Sequence, residues 1–68
     1  MADTVYKKIE VVGTSTESFA KAAAVAVKKA SESIREMRWF EVVEMRGRID
    51  KGGVVEYQTT VRIGFHVD

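Results

Sequence analysis

The sequence predicts a small α+β domain in which a three-stranded antiparallel sheet packs on one face against a single helix, in the order β-α-β-β. Three observations predict this fold. An alternating apolar segment comes first, a segment with apolar residues at steps of three and four follows, and two further alternating segments are joined by a glycine-containing turn. One helix is too small to cover both faces of a sheet. The second face is therefore expected to meet a ligand or another subunit.

Length and composition indicate how such a fold is stabilised. Residues 1–68 are predicted to form one domain, and a chain of this size buries only about 60% of the surface that its unfolded form exposes. Disulfides, a structural metal or oligomerisation usually stabilise folds this small. With no cysteine and one histidine, disulfides are excluded and a dedicated zinc site is not expected. Oligomerisation remains as the expected support.

Charge and hydropathy narrow the classes of function. Eleven basic and ten acidic residues are spread along the chain, so the net charge of +1 argues against nucleic acid as a partner. The first residues lack the basic start and apolar run of a signal peptide, and lysines interrupt the most apolar helical segment. The sequence therefore predicts a cytoplasmic protein without a membrane span. The absence of cysteine is compatible with a reducing compartment.

The first strand is predicted over residues 5–12, a stretch rich in β-branched residues. Its apolar face consists of Val5, Ile9 and Val11. Lys7 interrupts that face, so the start of the strand is expected to lie outside a dry core. Gly13 is expected to end the strand.

The helix is predicted to run from near Thr16 to near Met37. Two pairs of residues have capping chemistry and both registers remain open: Thr14 with Glu17, or Ser15 with Ser18. The predicted apolar stripe consists of Phe19, Ala23, Ala26, Val27, Ala30, Ile34 and Met37. Because several of these residues are alanine, the helix can lie close to the sheet.

The second strand is predicted over residues 39–49 and the third over residues 54–67. Asp50 to Gly53 is predicted to form a hairpin turn in which two glycines can take positive φ, so these strands are antiparallel neighbours. The residues of the third strand expected to face the helix are Val55, Tyr57, Thr59, Val61, Ile63, Phe65 and Val67.

The other face of the sheet is expected to be uncovered. Its expected residues are Gln58, Arg62 and His66 on the third strand and Trp39, Glu41, Val43 and Met45 on the second, with Phe40 and Val42 facing the helix. Leaving a large apolar side chain in water costs very roughly 1.5 to 3 kcal/mol, so such a patch marks an interface or a ligand site. A β-bulge near Val42 and Val43 would exchange the two faces, and this alternative remains open.

Three segments resemble the dodecins, a family of small flavin-binding proteins that assemble into hollow dodecamers. They are VYKKIEVVGTS at the first strand, WFEVVEMRGRI at the second and EYQTTVRIGF at the third. The resemblance implies a homododecamer with two-fold and three-fold interfaces and flavin pockets at the two-folds. It also implies a protein that is not an enzyme and that stores flavin (FMN, riboflavin or FAD) while suppressing its photochemistry.

The resemblance implies roles for two residues of the uncovered face. Trp39 matches a tryptophan that stacks on the isoalloxazine ring, and Gln58 matches a glutamine that hydrogen-bonds the polar edge of the ring. Alternation alone places both residues on the same face. A two-fold axis would bring together two Trp39 side chains, with a pair of flavins between them.

Further matches concern phosphate and coenzyme A. Arg46 matches an arginine near the ligand in bacterial members, and Arg48 follows two residues later; a guanidinium there would favour FMN over riboflavin. Alternation puts both on the side opposite Trp39, so they reach the pocket only through a bulge, strand curvature or a neighbouring subunit. His66 stands where many bacterial relatives have arginine, so a phosphate contact there would weaken as the pH rises. The positions that match coenzyme A contacts around the three-folds are Lys7, Lys29 and Arg35.

The sequence leaves two other kinds of function as alternatives. A small structural oligomer would use Trp39 as an interface anchor, and a nucleic-acid-binding module would stack bases on it. Glu41 and Glu56 on the same face, together with the small net charge, argue against nucleic acid. Catalysis is not indicated, since the lone histidine has no carboxylate at a recognisable spacing and the sequence contains neither a phosphate-binding glycine loop nor a metal-ligand motif.

Overall fold

The computed structural model describes residues 3–67, and the ends of the predicted domain, residues 1, 2 and 68, lie outside the described part. The elements are β1 (Val5–Ser15), α1 (Phe19–Ala30), β2 (Met37–Asp50) and β3 (Gly53–Val67). The three strands form one antiparallel sheet in the order β1-β3-β2. The predicted β-α-β-β fold is confirmed, with β3 as the central strand.

Small residues let the helix lie directly on the sheet. The buried core residues are Ala22, Ala23, Ala26, Ala30, Val61 and Ile63. Gly13 lies inside β1 and not at its end as predicted, and a Cβ at this position would overlap the carbonyl oxygen of Ala22. Thr59 Oγ1 donates a hydrogen bond to the Phe19 carbonyl at 2.9 Å. The odd-numbered side of β3 therefore faces the helix, as predicted.

The helix begins at Phe19, later than predicted. Ser18 is the N-cap, and its Oγ accepts a hydrogen bond from the backbone N–H of Lys21 at 3.0 Å. Ser15 Oγ accepts another from the backbone N–H of Glu17 at 2.9 Å. Of the two capping registers left open by the sequence, the Ser15 and Ser18 register provides these acceptors.

The helix also ends earlier than predicted, at Ala30 and not near Met37. Ser31 is the C-cap, and Glu36 adopts a φ of 62°, which lies outside the α-helical region. Ile34 and Met37 still pack against the core, from the loop and from β2 respectively. Their helical spacing therefore reflects a shared core and not a continuous helix.

The β2–β3 hairpin turns at the predicted place. Lys51 and Gly52 take φ values of 51° and 80°, the two positive values that a tight hairpin turn favours. Of the two glycines expected to be able to take positive φ, Gly52 does so, and the other positive value belongs to Lys51.

Candidate functional site

We call the face of the sheet away from α1 the open face, and three of its rows of paired residues carry predicted site residues or charged partners. The rows are Lys8–Gly64–Trp39, Glu10–Arg62–Glu41 and Thr14–Gln58–Arg46. Directly paired residues of antiparallel strands point to the same side, and these rows alternate with the residues that face the helix. The predicted placement of Gln58, Arg62, Trp39 and Glu41 on one face is confirmed.

A β-bulge at Val43 determines which residues of β2 reach the open face. The register shifts between Val42 and Glu44, so Val43 has no paired residue on β3. After the bulge, Arg46 pairs with Gln58 on the open face. The alternation argument that placed Arg46 and Arg48 opposite Trp39 was therefore wrong, and the bulge that the sequence left open explains why.

The same bulge changes two expectations about apolar residues. Met45 pairs with Thr59, which faces the helix, so the expectation that Met45 lies on the open face was wrong. Val43 occupies the bulge itself, outside the regular alternation. Before the bulge, Phe40 and Val42 pair with Ile63 and Val61 and face the helix side as expected.

The indole of Trp39 is held by three contacts. It lies over Gly64, where a Cβ would overlap ring atoms Cε2, Cζ2 and Cη2. Tyr6 makes a T-shaped contact with it, with ring centroids 5.1 Å apart and an interplanar angle of 69°. Nε1 donates a hydrogen bond to Glu41 Oε1 at 3.1 Å. The residue remains 39% exposed, so part of a fixed indole faces solvent.

Glu41 joins Trp39 to β1. Its Oε1 also accepts from Lys8 Nζ at 2.9 Å. The hydrogen bonds from Lys8 and from Trp39 lower the pKa of the Glu41 carboxyl below its ordinary value. Arg62, which pairs with Glu10 at 3.0 Å, adds a weaker effect in the same direction. The carboxylate beside the indole is therefore ionised at neutral pH.

Gln58 belongs to a second group at the other end of the open face, which we call the Gln58 cluster: Gln58, Arg46, Arg48 and Glu56. Arg46 Nε donates to Gln58 Oε1 at 2.6 Å, and Gln58 Nε2 donates to Glu56 Oε1 at 2.9 Å. Arg48 Nε lies 3.6 Å from Glu56 Oε1. These contacts hold the side-chain amide of Gln58 between a guanidinium and a carboxylate.

The two ends of the open face are far apart in one chain. Trp39 pairs with Gly64, and Gln58 lies six residues away on β3, which corresponds to about 20 Å at roughly 3.3 Å per residue. His66 lies at the Trp39 end, with its ring 5.9 Å from that of Tyr6. A single site that used Trp39 and Gln58 would therefore combine residues of two copies.

The candidate coenzyme A residues lie on the helix side of the sheet, in α1 or in the loop between α1 and β2. Lys7 pairs with Phe65 on the helix side of the sheet, and Arg35 is exposed between α1 and β2. Lys29 lies in the last turn of α1, 3.2 Å from Glu32, and lines an open groove of about 730 Å³.

Two features of the described residues concern membranes and metal ions. Among residues 3–67, no helix has the length and hydropathy needed to cross a membrane. Within the same range, no three histidine, aspartate or glutamate side chains group closely enough to hold a metal ion.

Comparison with known proteins identifies the family. The family model for Dodecin matches residues 5–68. The chain belongs to the dodecin family. It is 45% identical over 64 residues to the dodecin of Thermus thermophilus, a match that covers 94% of this chain and 93% of the relative. The structure of the Streptomyces coelicolor dodecin has a TM-score of 0.94 and 38% identity, with 100% and 97% of the two chains covered. A Mycobacterium tuberculosis protein named calcium dodecin is 36% identical over 62 residues, 91% of this chain and 87% of the relative.

Sequence reasoning did not find all of the residues around Trp39 in this member of the dodecin family. Gly64 was missed, although a glycine inside a strand often marks a close approach of another group. Tyr6 and Lys8 were missed because their contacts, with Trp39 and Glu41 respectively, depend on the pairing of β1 with β3, which was not predicted. Glu41 was placed on the correct face, but nothing in the sequence linked it to the indole nitrogen.

Proposed function

We propose that the protein is a non-catalytic, cytoplasmic flavin store that binds FMN or riboflavin and suppresses its photochemistry. The observation that carries this proposal is the partly exposed indole of Trp39, fixed against Gly64 on an open sheet face. An indole and an isoalloxazine ring are both flat, so stacking buries both. By analogy with bases stacked on aromatic side chains, each such contact contributes on the order of 1 to 3 kcal/mol.

The proposed suppression of photochemistry follows from the same contact. An indole stacked on a flavin would donate an electron to the excited ring and regain it as the pair returns to the ground state, so that both emission and photochemistry are lost. The indole needs no further group for this step, but it must be in contact with the ring. The three contacts that hold Trp39 support such a fixed arrangement.

Self-assembly is part of the proposal, because one chain holds only half of the site. Gln58 lies about 20 Å along β3 from Gly64, the residue that pairs with Trp39, so the polar edge of the ring would meet Gln58 of the partner subunit. Half or more of each of the following apolar side chains is exposed: Phe40, Val42, Met45 and Ile49. Such a surface is expected at subunit contacts. We propose the homododecamer of the family, with two-fold and three-fold interfaces.

The Gln58 cluster supports a preference for FMN. Arg46 and Arg48 place two guanidinium groups on the open face beside Gln58, and a guanidinium can make charge-assisted hydrogen bonds to a phosphate. His66 lies at the opposite end, so it would reach the same phosphate only from another copy. Lys7, Lys29 and Arg35 are proposed as the contacts of coenzyme A at the three-folds.

Nucleic acid fits the open face less well. Glu10, Glu41 and Glu56 lie on it among the basic residues, and each makes an ion pair with one of them. Binding to a phosphate backbone requires a surplus of positive charge. Calcium is a second candidate ligand only because one relative is named calcium dodecin.

The proposal is tested on the purified protein by colour, mass and titration. We expect a yellow preparation with dark flavin emission that returns on heating, and a mass of about twelve 7.6-kDa chains by light scattering. A colourless protein that takes up no added riboflavin would overturn it. In that case, a size shift with an oligonucleotide would support nucleic-acid binding, and binding heat with calcium alone would support a calcium protein.

A further inference from the structure

We propose that Glu41, anchored by Lys8, is the positioning residue that fixes the indole of Trp39 in the orientation required for stacking. This inference rests on the proposed flavin function and deepens it. Lys8 and Trp39 lie at the two ends of one row of the open face, and Glu41 lies in the neighbouring row.

The indole of Trp39 extends across the sheet from one edge strand toward the other. Trp39 belongs to the edge strand β2, its ring lies over Gly64 of the central strand, and it makes a T-shaped contact with Tyr6 of the opposite edge strand β1. Gly64 packs beneath the ring, and Tyr6 contacts it from the side. Neither of these apolar contacts fixes the direction of the indole N–H.

Glu41 supplies that direction. It lies two residues after Trp39 on the same face of β2, and its Oε1 accepts the indole N–H at 3.1 Å. A glutamate side chain at a surface would otherwise sample several rotamers. Lys8 Nζ lies 2.9 Å from the same oxygen and links the carboxylate to β1, the opposite edge strand of the sheet. The acceptor of the indole N–H is thus held from two strands.

A fixed indole matters for binding. A side chain that already has its bound orientation loses less conformational freedom when a ligand stacks on it, and this raises affinity. Removal of the anchor is therefore expected to weaken flavin binding even though Glu41 need not touch the flavin.

The chain contains a matched control. Glu10 also lies on the open face, also pairs with Arg62 in the sheet register and also makes an ion pair, with Arg62 at 3.0 Å. The Glu10 carboxylate accepts a hydrogen bond from Arg62 Nε, whereas that of Glu41 accepts the indole N–H. Glu10→Ala removes the same charge from the same row as Glu41→Ala.

Trp39 is the only tryptophan of the chain, so intrinsic fluorescence reports on this indole alone, without any flavin. In the flavin-free protein, Glu41→Ala should lower the fluorescence anisotropy and raise acrylamide quenching, with Glu41→Gln intermediate and Glu10→Ala unchanged. Riboflavin affinity should fall about fivefold in Glu41→Ala, the effect of one net hydrogen bond. Circular dichroism and size are checked for each variant.

The outcomes separate the two proposals. If Glu41→Ala loosens the indole but the wild type takes up no riboflavin, the flavin function fails and the positioning role stands. If the wild type binds riboflavin and Glu41→Ala leaves both the indole and the affinity unchanged, the positioning role is overturned. Should Glu41→Ala not assemble, Lys8→Met, which keeps the acceptor but removes its anchor, decides by the same two readouts.

Discussion

The indole of Trp39 rests on Gly64 of the neighbouring strand, with no room for a Cβ beneath it. A side chain at position 64 would have to lift or rotate the ring. The glycine therefore determines how close the indole lies to the sheet, and with it the plane that a stacked ligand would meet.

Gly64→Ala is expected to weaken riboflavin binding through displacement of the indole. The loss should approach the value of a stacking contact, on the order of 1 to 3 kcal/mol, or roughly 5-fold to 160-fold in affinity. Quenching of riboflavin emission during titration measures it. Gly53→Ala in the same strand is the control, because a Cβ there meets nothing closer than 3.9 Å. Equal affinities for the two variants would argue against the role of Gly64.

The elements of the fold could be predicted from the sequence, but the end of the helix could not. Ile34 and Met37 continue the helical spacing of apolar residues, yet they reach the core from a loop and from β2. Periodicity records which residues face a core and not which element carries them. The positive φ of Glu36, which ends any continuation, has no clear sequence signal because glutamate is a good helix former.

The candidate site was predictable in part. Alternation placed Trp39 and Gln58 on the same face, and the pairing agrees. The face on which Arg46 lies depends on the bulge at Val43. The sequence does not locate this bulge, because two valines in succession fit either face of a strand equally well. The Glu41 contact depends on side-chain orientation, which alternation does not specify.

The Glu41 carboxyl should titrate below its ordinary range, since Lys8 and Trp39 hydrogen-bond its ionised form. Because the pKa is lowered, this stabilising contact is fully present when the pH is above the ordinary pKa of glutamate. It is lost as the pH falls through the lowered pKa of Glu41. Tryptophan emission of the flavin-free protein should therefore change in an acid transition. Glu41→Gln should lack this transition, whereas Glu10→Gln should keep it. The prediction is wrong if the two variants titrate alike.

Arg46→Met is expected to lower the affinity for FMN roughly tenfold while riboflavin binding changes less, because a charge-assisted contact to phosphate is lost. Competition titrations with both flavins at low and high salt measure the difference, and the preference for FMN should shrink as salt rises. Arg35→Met, an exposed arginine of the loop, serves as the control. A parallel loss of both flavins would instead assign Arg46 to the orientation of Gln58.

Gly13→Ala should destabilise the fold, since the new Cβ would overlap the backbone carbonyl of Ala22 and force the helix away from β1. Overpacking of this kind typically costs about 1 to 3 kcal/mol. Denaturant unfolding of each variant provides the measurement. Gly47→Ala is the matched case, with its Cβ at an ordinary 3.5 Å from its neighbours, and should unfold close to the wild type. Similar midpoints for both variants would show that the helix does not depend on this close approach.

The most direct test of the account is a riboflavin titration of the wild type and of Trp39→Ala, with Phe40→Leu on the other side of β2 as the control. We predict that the wild type and Phe40→Leu suppress riboflavin emission as they bind, and that Trp39→Ala loses both the binding and the suppression. Unchanged riboflavin emission with the wild type, or equal suppression by Trp39→Ala, would contradict the central claim that flavin stacks on this indole.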